Sequence, residues 1–137
     1  MVVEIEWTPL EYDDPLWHDW LCLYAYTNAV DQQIVYLGKA DYQTVGQRLH
    51  GTHKRQIYDF CERDLGINEL DVLHGELIPE QGRRISSRLL ADVESLLIMR
   101  LQPPCNVVCT RSRYMRPGLR VKCTGVWPDR RTGFHDV

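Results

Sequence analysis

Three stretches of the chain have the apolar and aromatic composition of β-strands. Residues 21–27 and 34–37 are apolar and carry tyrosines, and the polar residues 28–33 predict a connection between them. Residues 70–78 alternate between apolar and polar positions, which predicts a third strand.

Apolar residues recur at helical spacing over residues 85–101, which predicts the longest helix. These residues are Ile85, Leu89, Val93, Leu96, Leu97 and Leu101. Ser86 or Ser87 offers the cap at its start, and the prolines at 103 and 104 end it.

Shorter helical pieces are expected between the second and third strands. Asp41 or Thr44 offers a cap for a helix over residues 45–49, Gly51 interrupts that helix, and a second piece covers about 55–64. The order strand, strand, helix, strand, helix predicts an α+β (mixed α/β) fold with a small sheet.

The two ends of the chain are interpreted as lying outside the core domain. With 137 residues, one domain with one core is expected, and we place it at residues 21–110. Residues 1–20 are interpreted as an irregular N-terminal arm, docked on the core by Trp7, Trp17 and Trp20. Residues 111–137 are interpreted as a basic C-terminal extension.

Composition indicates a soluble globular protein, since 44% of the residues are hydrophobic and 26% are charged. No apolar run approaches the roughly 20 residues that a bilayer-spanning helix needs. The acidic start of the chain lacks the basic residues and long apolar run of a signal peptide. We therefore expect a cytoplasmic protein that does not contact membranes.

Charge is unevenly distributed along the chain, although its net value is only −3. The ionisable side chains of residues 4–19 are acidic apart from His18, whereas those of residues 111–131 are nearly all basic. The basic segment is either a solvated tail or a positive face for nucleic acid, with Arg111, Arg113 and Arg116 as candidate phosphate contacts.

The five cysteines are Cys22, Cys61, Cys105, Cys109 and Cys123. Their odd number and scattered positions argue against a disulfide framework. A zinc site made by Cys105, Cys109, Cys123 and His135 is disfavoured, because the chain has no CxxC pair and no paired histidines at zinc-ligand spacing. Free, partly buried thiols are expected instead.

Glu94 is the unusual residue of the 85–101 helix. Its helical neighbours include Leu90, Leu97 and Ile98, so its carboxylate borders the apolar stripe. Such a carboxylate is costly unless it is paired, hydrogen-bonded or bound to a cation. Glu94 is therefore either a rim residue that bends out to water or a metal-binding or catalytic carboxylate.

Five short motifs occur in a defined order. They are Cys22-Leu23-Tyr24, Tyr36-Leu37-Gly38-Lys39-Ala40, Arg48-Leu49, Glu94 and Pro104-Cys105-Asn106-Val107. Their order over about residues 21–108 resembles the GIY-YIG nuclease superfamily, with Cys-Leu-Tyr and Tyr-Leu-Gly at the places of its two tripeptides. The segment LADVESLLIMRLQPPCNV is similar to the glutamate helix of the nuclease module in bacterial excision-repair incision proteins.

The resemblance implies a small three-stranded antiparallel sheet flanked by helices. It also implies an endonuclease that hydrolyses DNA phosphodiester bonds with a divalent cation, Mg²⁺ or Mn²⁺. The family's functional residues match Tyr24, Tyr36, Arg48, Asn106 and the metal-binding Glu94 of this sequence.

The chemistry of these side chains suits that activity. Arg48 would bind two phosphoryl oxygens, and Glu94 would hold a cation that prefers oxygen ligands. Tyr24 or Tyr36 would orient the attacking water and take its proton, which requires a nearby positive charge to lower the pKa of the phenol. Lys39 is a candidate for supplying that charge or for contacting the phosphate directly.

Two positions depart from the family pattern. Cys22 stands where the family usually has glycine, and Thr52 stands one helical turn after Arg48, where the family often has histidine or tyrosine. Because His53 lies beside Thr52, it is a candidate second acid or base, with a solvated histidine as the alternative.

Two other classes of function compete with the endonuclease. One is a nucleic-acid-binding module without catalysis, or a subunit of a larger DNA-processing assembly. The other is an interaction protein that uses its tryptophan-rich arm. The sequence leaves the oligomeric state open, with a homodimer or a larger complex as alternatives.

Overall fold

The computed structural model describes residues 1–49, 52–106 and 116–136, and the side chains of 52–54 lie outside the described part. The strands are β1 Val2–Pro9, β2 Cys22–Asn28, β3 Ile34–Ala40, β4 Leu70–Pro79, β5 Arg120–Gly125 and β6 Gly133–His135. The helices are α1 Val45–Leu49, α2 Thr52–Leu65 and α3 Ser87–Leu101. The predicted mixed α/β class is confirmed.

The described strands form one sheet of six, in the order β3-β2-β4-β1-β5-β6. The expected sheet of three strands is therefore wrong in extent, although β3, β2 and β4 are antiparallel neighbours as that expectation requires. β1 is an internal strand that pairs antiparallel with β4 and parallel with β5.

The two chain ends belong to this sheet. Val3, Ile5 and Trp7 alternate with outward-facing residues and are buried, so residues 2–9 are a core strand and not part of an irregular arm. Val121 and Cys123 of β5 are buried by the same alternation. Residues 120–125 and 133–135 of the segment interpreted as a basic C-terminal extension are therefore strands of the same sheet.

The two faces of the sheet pack against different helices. α3 covers one face, where Leu23, Ala25 and Leu37 join the larger apolar core. The opposite face carries the tyrosines of β2 and β3 beneath α1 and α2, in a second cluster that includes Val45 and Ile57. β3 is an edge strand of the described sheet, so both faces meet at its outer side.

Local signals set the helix ends. The hydroxyl of Ser86 accepts a hydrogen bond from Leu89 N at 3.0 Å and caps α3, as one of the two predicted alternatives. Thr44 and Gln47 form a reciprocal pair at the start of α1, with hydrogen bonds of 2.9 Å and 3.2 Å. Among the described helices, none has both the length and the apolar character needed to cross a bilayer.

Candidate active site around Tyr24

Four tyrosines pack together on the face of the sheet that lies beneath α1 and α2. They are Tyr24 and Tyr26 of β2, Tyr36 of β3 and Tyr58 of α2, and we call them the tyrosine cluster. The ring centroids of Tyr24 and Tyr36 are 6.2 Å apart. The hairpin places them there because Tyr26 pairs directly with Tyr36, and side chains two positions apart on a strand share a face. The two predicted catalytic tyrosines are therefore neighbours.

Arg48 joins these tyrosines from α1. Its side chain is exposed. Burial raises the pKa of the Tyr24 hydroxyl above its ordinary range, the neighbouring Tyr36 raises it further, and the Arg48 guanidinium opposes both effects. Tyr24 is consequently a neutral phenol at neutral pH and can donate a hydrogen bond. Three predicted site residues from three separate elements thus meet at one point.

Gly38 lies directly against the ring of Tyr24. The two residues pair across β2 and β3, and a Cβ on Gly38 would lie 2.5 Å from Tyr24 Cζ and Oη. Any other residue at this position would displace the ring. The glycine thus allows the tyrosine to lie flat across the neighbouring strand.

Asn106 fixes the outer edge of β3. Its side-chain nitrogen donates to Leu37 O at 2.8 Å, and its side-chain oxygen accepts from Leu37 N at 2.9 Å. Cys105 N donates to Val35 O at 2.8 Å, so this segment continues the hydrogen bonding of the sheet. Because Asn106 is buried and its side-chain amide is hydrogen-bonded to Leu37, its role is to hold the outer edge of β3, the strand that carries Tyr36.

Lys39 and Glu94 lie on the other side of the sheet. Lys39 pairs with Leu23, whose side chain is in the core beneath α3, so alternation puts Lys39 on that face. Glu94 is half-buried on α3, and the neighbouring Leu97 and Ile98 are buried. Lys39 and α3 thus lie on the face of the sheet opposite the tyrosine cluster.

Of the remaining predicted residues, Arg116 has a described side chain. Arg116 Nε lies 3.9 Å from Asp92 of α3, so this arginine forms an ion pair with a buried carboxylate. Arg111 and Arg113 lie outside the described residues. His53 belongs to α2, but its side chain also lies outside the described part.

His74 lies beside Tyr24, and the sequence analysis assigned no function to this histidine. His74 of β4 pairs with Tyr24, is almost fully buried, and its Nε2 lies 2.7 Å from Asp19 Oδ2. Burial, with a smaller contribution from Asp19, raises the pKa of the nearby Cys22 thiol from 9.0 to about 12. The donor atoms of Asp19, Cys22 and His74 all lie within 4.8 Å of one another. The His74–Asp19 pair depends on residues 55 apart in sequence, and no spacing motif marks it.

Comparison of the chain with models of known protein families, with curated proteins and with solved structures gave no match.

Proposed function

We propose that this chain is a divalent-metal-dependent endonuclease that hydrolyses DNA phosphodiester bonds. The observation that carries the proposal is the meeting of Tyr24, Tyr36 and Arg48, which come from three elements. The resemblance selected these residues from the sequence alone, and together they place a guanidinium beside phenol hydroxyls.

Arg48 is suited to bind the phosphate. Its side chain is exposed and begins from a helix that packs beside the tyrosines. A guanidinium stays charged at all relevant pH values and can donate two hydrogen bonds to phosphoryl oxygens. In the transition state, where negative charge on those oxygens increases, these bonds strengthen.

The two tyrosines differ in their access to water. Tyr24 is fully buried on an interior strand, whereas Tyr36 lies on the edge strand and is 8% exposed. Burial raises the pKa of Tyr24, so it would act as a neutral hydrogen-bond donor that orients the Tyr36 hydroxyl. We therefore assign to Tyr36 the acceptance of the proton from water.

Glu94 is suited to be the single protein ligand of an Mg²⁺ or Mn²⁺ ion. A half-buried carboxylate at the border of an apolar stripe offers the oxygen ligand that these ions prefer. When bound, the ion would neutralise charge on the phosphoryl oxygens and acidify a bound water. Lys39 lies on the same face and would add positive charge at the edge of β3.

Cleavage of plasmid DNA by paired variants tests these roles. Arg48→Ala should reduce the cleavage rate by about 10²–10³-fold, as loss of a charge-stabilising donor does. Arg63→Ala is the matched control, since Arg63 lies at the far end of α2 and pairs only with Asp59 in the described contacts. Equal loss in both variants would count against a specific role for Arg48.

A second pair separates catalysis from packing. Tyr24→Phe and Tyr26→Phe each remove one hydroxyl from fully buried rings two residues apart on β2. Only Tyr24→Phe should slow cleavage. DNA binding without cleavage by the unaltered protein, with either ion, would replace the endonuclease with a binding module.

A further inference from the structure

We propose that Asp19, Cys22 and His74 form a binding site for a transition-metal ion of the zinc class, distinct from the Glu94 position. The three side chains offer a carboxylate oxygen, a thiol sulfur and an imidazole nitrogen, and these donor atoms lie within 4.8 Å of one another. This inference does not depend on the endonuclease proposal.

The donor set selects the kind of ion. Sulfur, imidazole nitrogen and carboxylate oxygen together suit Zn²⁺, which binds such ligands in a tetrahedral arrangement. Mg²⁺ prefers oxygen ligands and does not favour a thiolate. Three protein ligands leave the fourth position for water or another small ligand, as in zinc sites that remain open to solvent.

Two of the ligands are held by neighbouring strands. Cys22 begins β2, and His74 lies on β4 opposite Tyr24, two residues further along β2 on the same face. Both side chains are almost fully buried, so the sheet fixes their positions before an ion arrives. A histidine that served only to pair with Asp19 would not need a thiol beside it.

The third ligand provides the path for the ion. The Asp19 side chain is 41% exposed, and it opens with His74 onto a surface depression. The other residues that line this depression are Pro15, Leu16, His18 and Glu76. Binding would replace the 2.7 Å contact between Asp19 and His74 by bonds from both to the ion, and Cys22 would release its proton to solvent.

The ion would also connect the sheet to the helix that carries Arg48. Asp19 O accepts a hydrogen bond of 2.9 Å from Val45 N, the first residue of α1. Gly46 packs against the same segment, since a Cβ there would lie 3.2 Å from Trp17 O. An ion at Asp19 would therefore fix residues 17–19 on β2 and β4 and so fix the position of α1.

Metal binding to the full chain tests the inference without any cleavage assay. The protein is stripped of metal with a chelator and titrated with Co²⁺, which reports a thiolate ligand by a near-ultraviolet charge-transfer band, and then with Zn²⁺ in competition. We expect one ion per chain, with the thiolate band, and displacement of Co²⁺ by Zn²⁺.

Variants identify the ligands. Cys22→Ser and His74→Gln should lose the thiolate charge-transfer band. Asp19→Asn should bind the ion more weakly, and its fold should be retained because the Asp19 side chain is partly exposed. Cys123→Ser is the matched control, because Cys123 is also buried but lies in β5, and it should keep the band. Absence of stoichiometric binding, or a band that persists in Cys22→Ser, would overturn the inference.

Discussion

The backbone of Gly38 lies against the hydroxyl end of the Tyr24 ring, and a Cβ on this glycine would come within 2.5 Å of Tyr24 Cζ. The glycine that ends the Tyr-Leu-Gly motif is thus required by the tyrosine of the neighbouring strand.

Gly38→Ala should displace Tyr24 and destabilise the protein by about 1–3 kcal/mol, as overpacking of a buried site does. Urea denaturation measures the free energy of unfolding, and DNA cleavage should fall in the same variant. Gly133→Ala in β6 is the control, because a Cβ there meets nothing within 4 Å. Equal stability of the two variants would show that the Tyr24 ring does not occupy this position.

Asn106→Ala should destabilise the protein by about 2–4 kcal/mol. The change leaves both Leu37 N and Leu37 O without the side chain that pairs with them, and each unsatisfied buried group costs about 1–3 kcal/mol. Asn68→Ala at an exposed loop position serves as the control and should stay within about 0.5 kcal/mol of the parent. A loss confined to cleavage, with unchanged stability, would contradict the positioning role of Asn106.

Stability should fall in alkaline solution because buried thiols resist ionisation. Burial raises the pKa of Cys123 from 9.0 to about 12, although the nearby Trp7 indole opposes the rise. Below about pH 9 both the folded and unfolded chains hold the proton, and the stabilisation is fully present. Between pH 9 and 12 only the unfolded chain releases the proton, so this thiol lowers the free energy of unfolding by about 1 kcal/mol per pH unit.

Urea denaturation at several pH values between about 8 and 10.5 measures this slope. Cys123→Ala should show a shallower decline above pH 9 than the parent, whatever its stability at neutral pH. Parallel declines in the two proteins would exclude Cys123 as a source of the alkaline effect.

Cys61 and Cys105 should form a disulfide under oxidation. Their Sγ atoms lie 2.8 Å apart in the buried cluster beneath α2, and a disulfide needs about 2.05 Å. A diamide-type oxidant would accept two electrons and two protons from the two thiols. Burial raises the pKa of Cys105 to about 12, so the reaction should be slow at neutral pH and faster as pH rises, because the thiolate is the reactive form.

Mass spectrometry of non-reduced peptides detects the Cys61–Cys105 link, and Cys61→Ser should abolish it. Linkage of Cys105 to a different cysteine in the parent protein would contradict the geometry.

Part of the fold could be predicted from local sequence patterns. The hairpin of β2 and β3, the strand β4 and the capped helix α3 each have their apolar spacing and end signals within a short stretch of sequence. Tyr24, Tyr36 and Arg48 lie on such a hairpin and the helix that follows, so their proximity depends mainly on local structure.

The rest depends on pairing between distant segments. β1 has the alternation of a strand, but its partners β4 and β5 are far along the chain. The approach of Asp19 to His74 likewise follows from the register of β2 against β4. The register cannot be predicted from the spacing of these residues, because it is set by how the side chains of whole strands pack against each other.

The most direct test of the endonuclease proposal is the cleavage of supercoiled plasmid DNA by the purified chain, with Mg²⁺, with Mn²⁺ and with chelator, beside Glu94→Ala. We expect nicked or linear DNA only when a divalent ion is present, and we expect Glu94→Ala to lose cleavage while its far-ultraviolet circular dichroism stays unchanged. Undiminished cutting by Glu94→Ala, or cutting in the presence of chelator, would contradict the proposal.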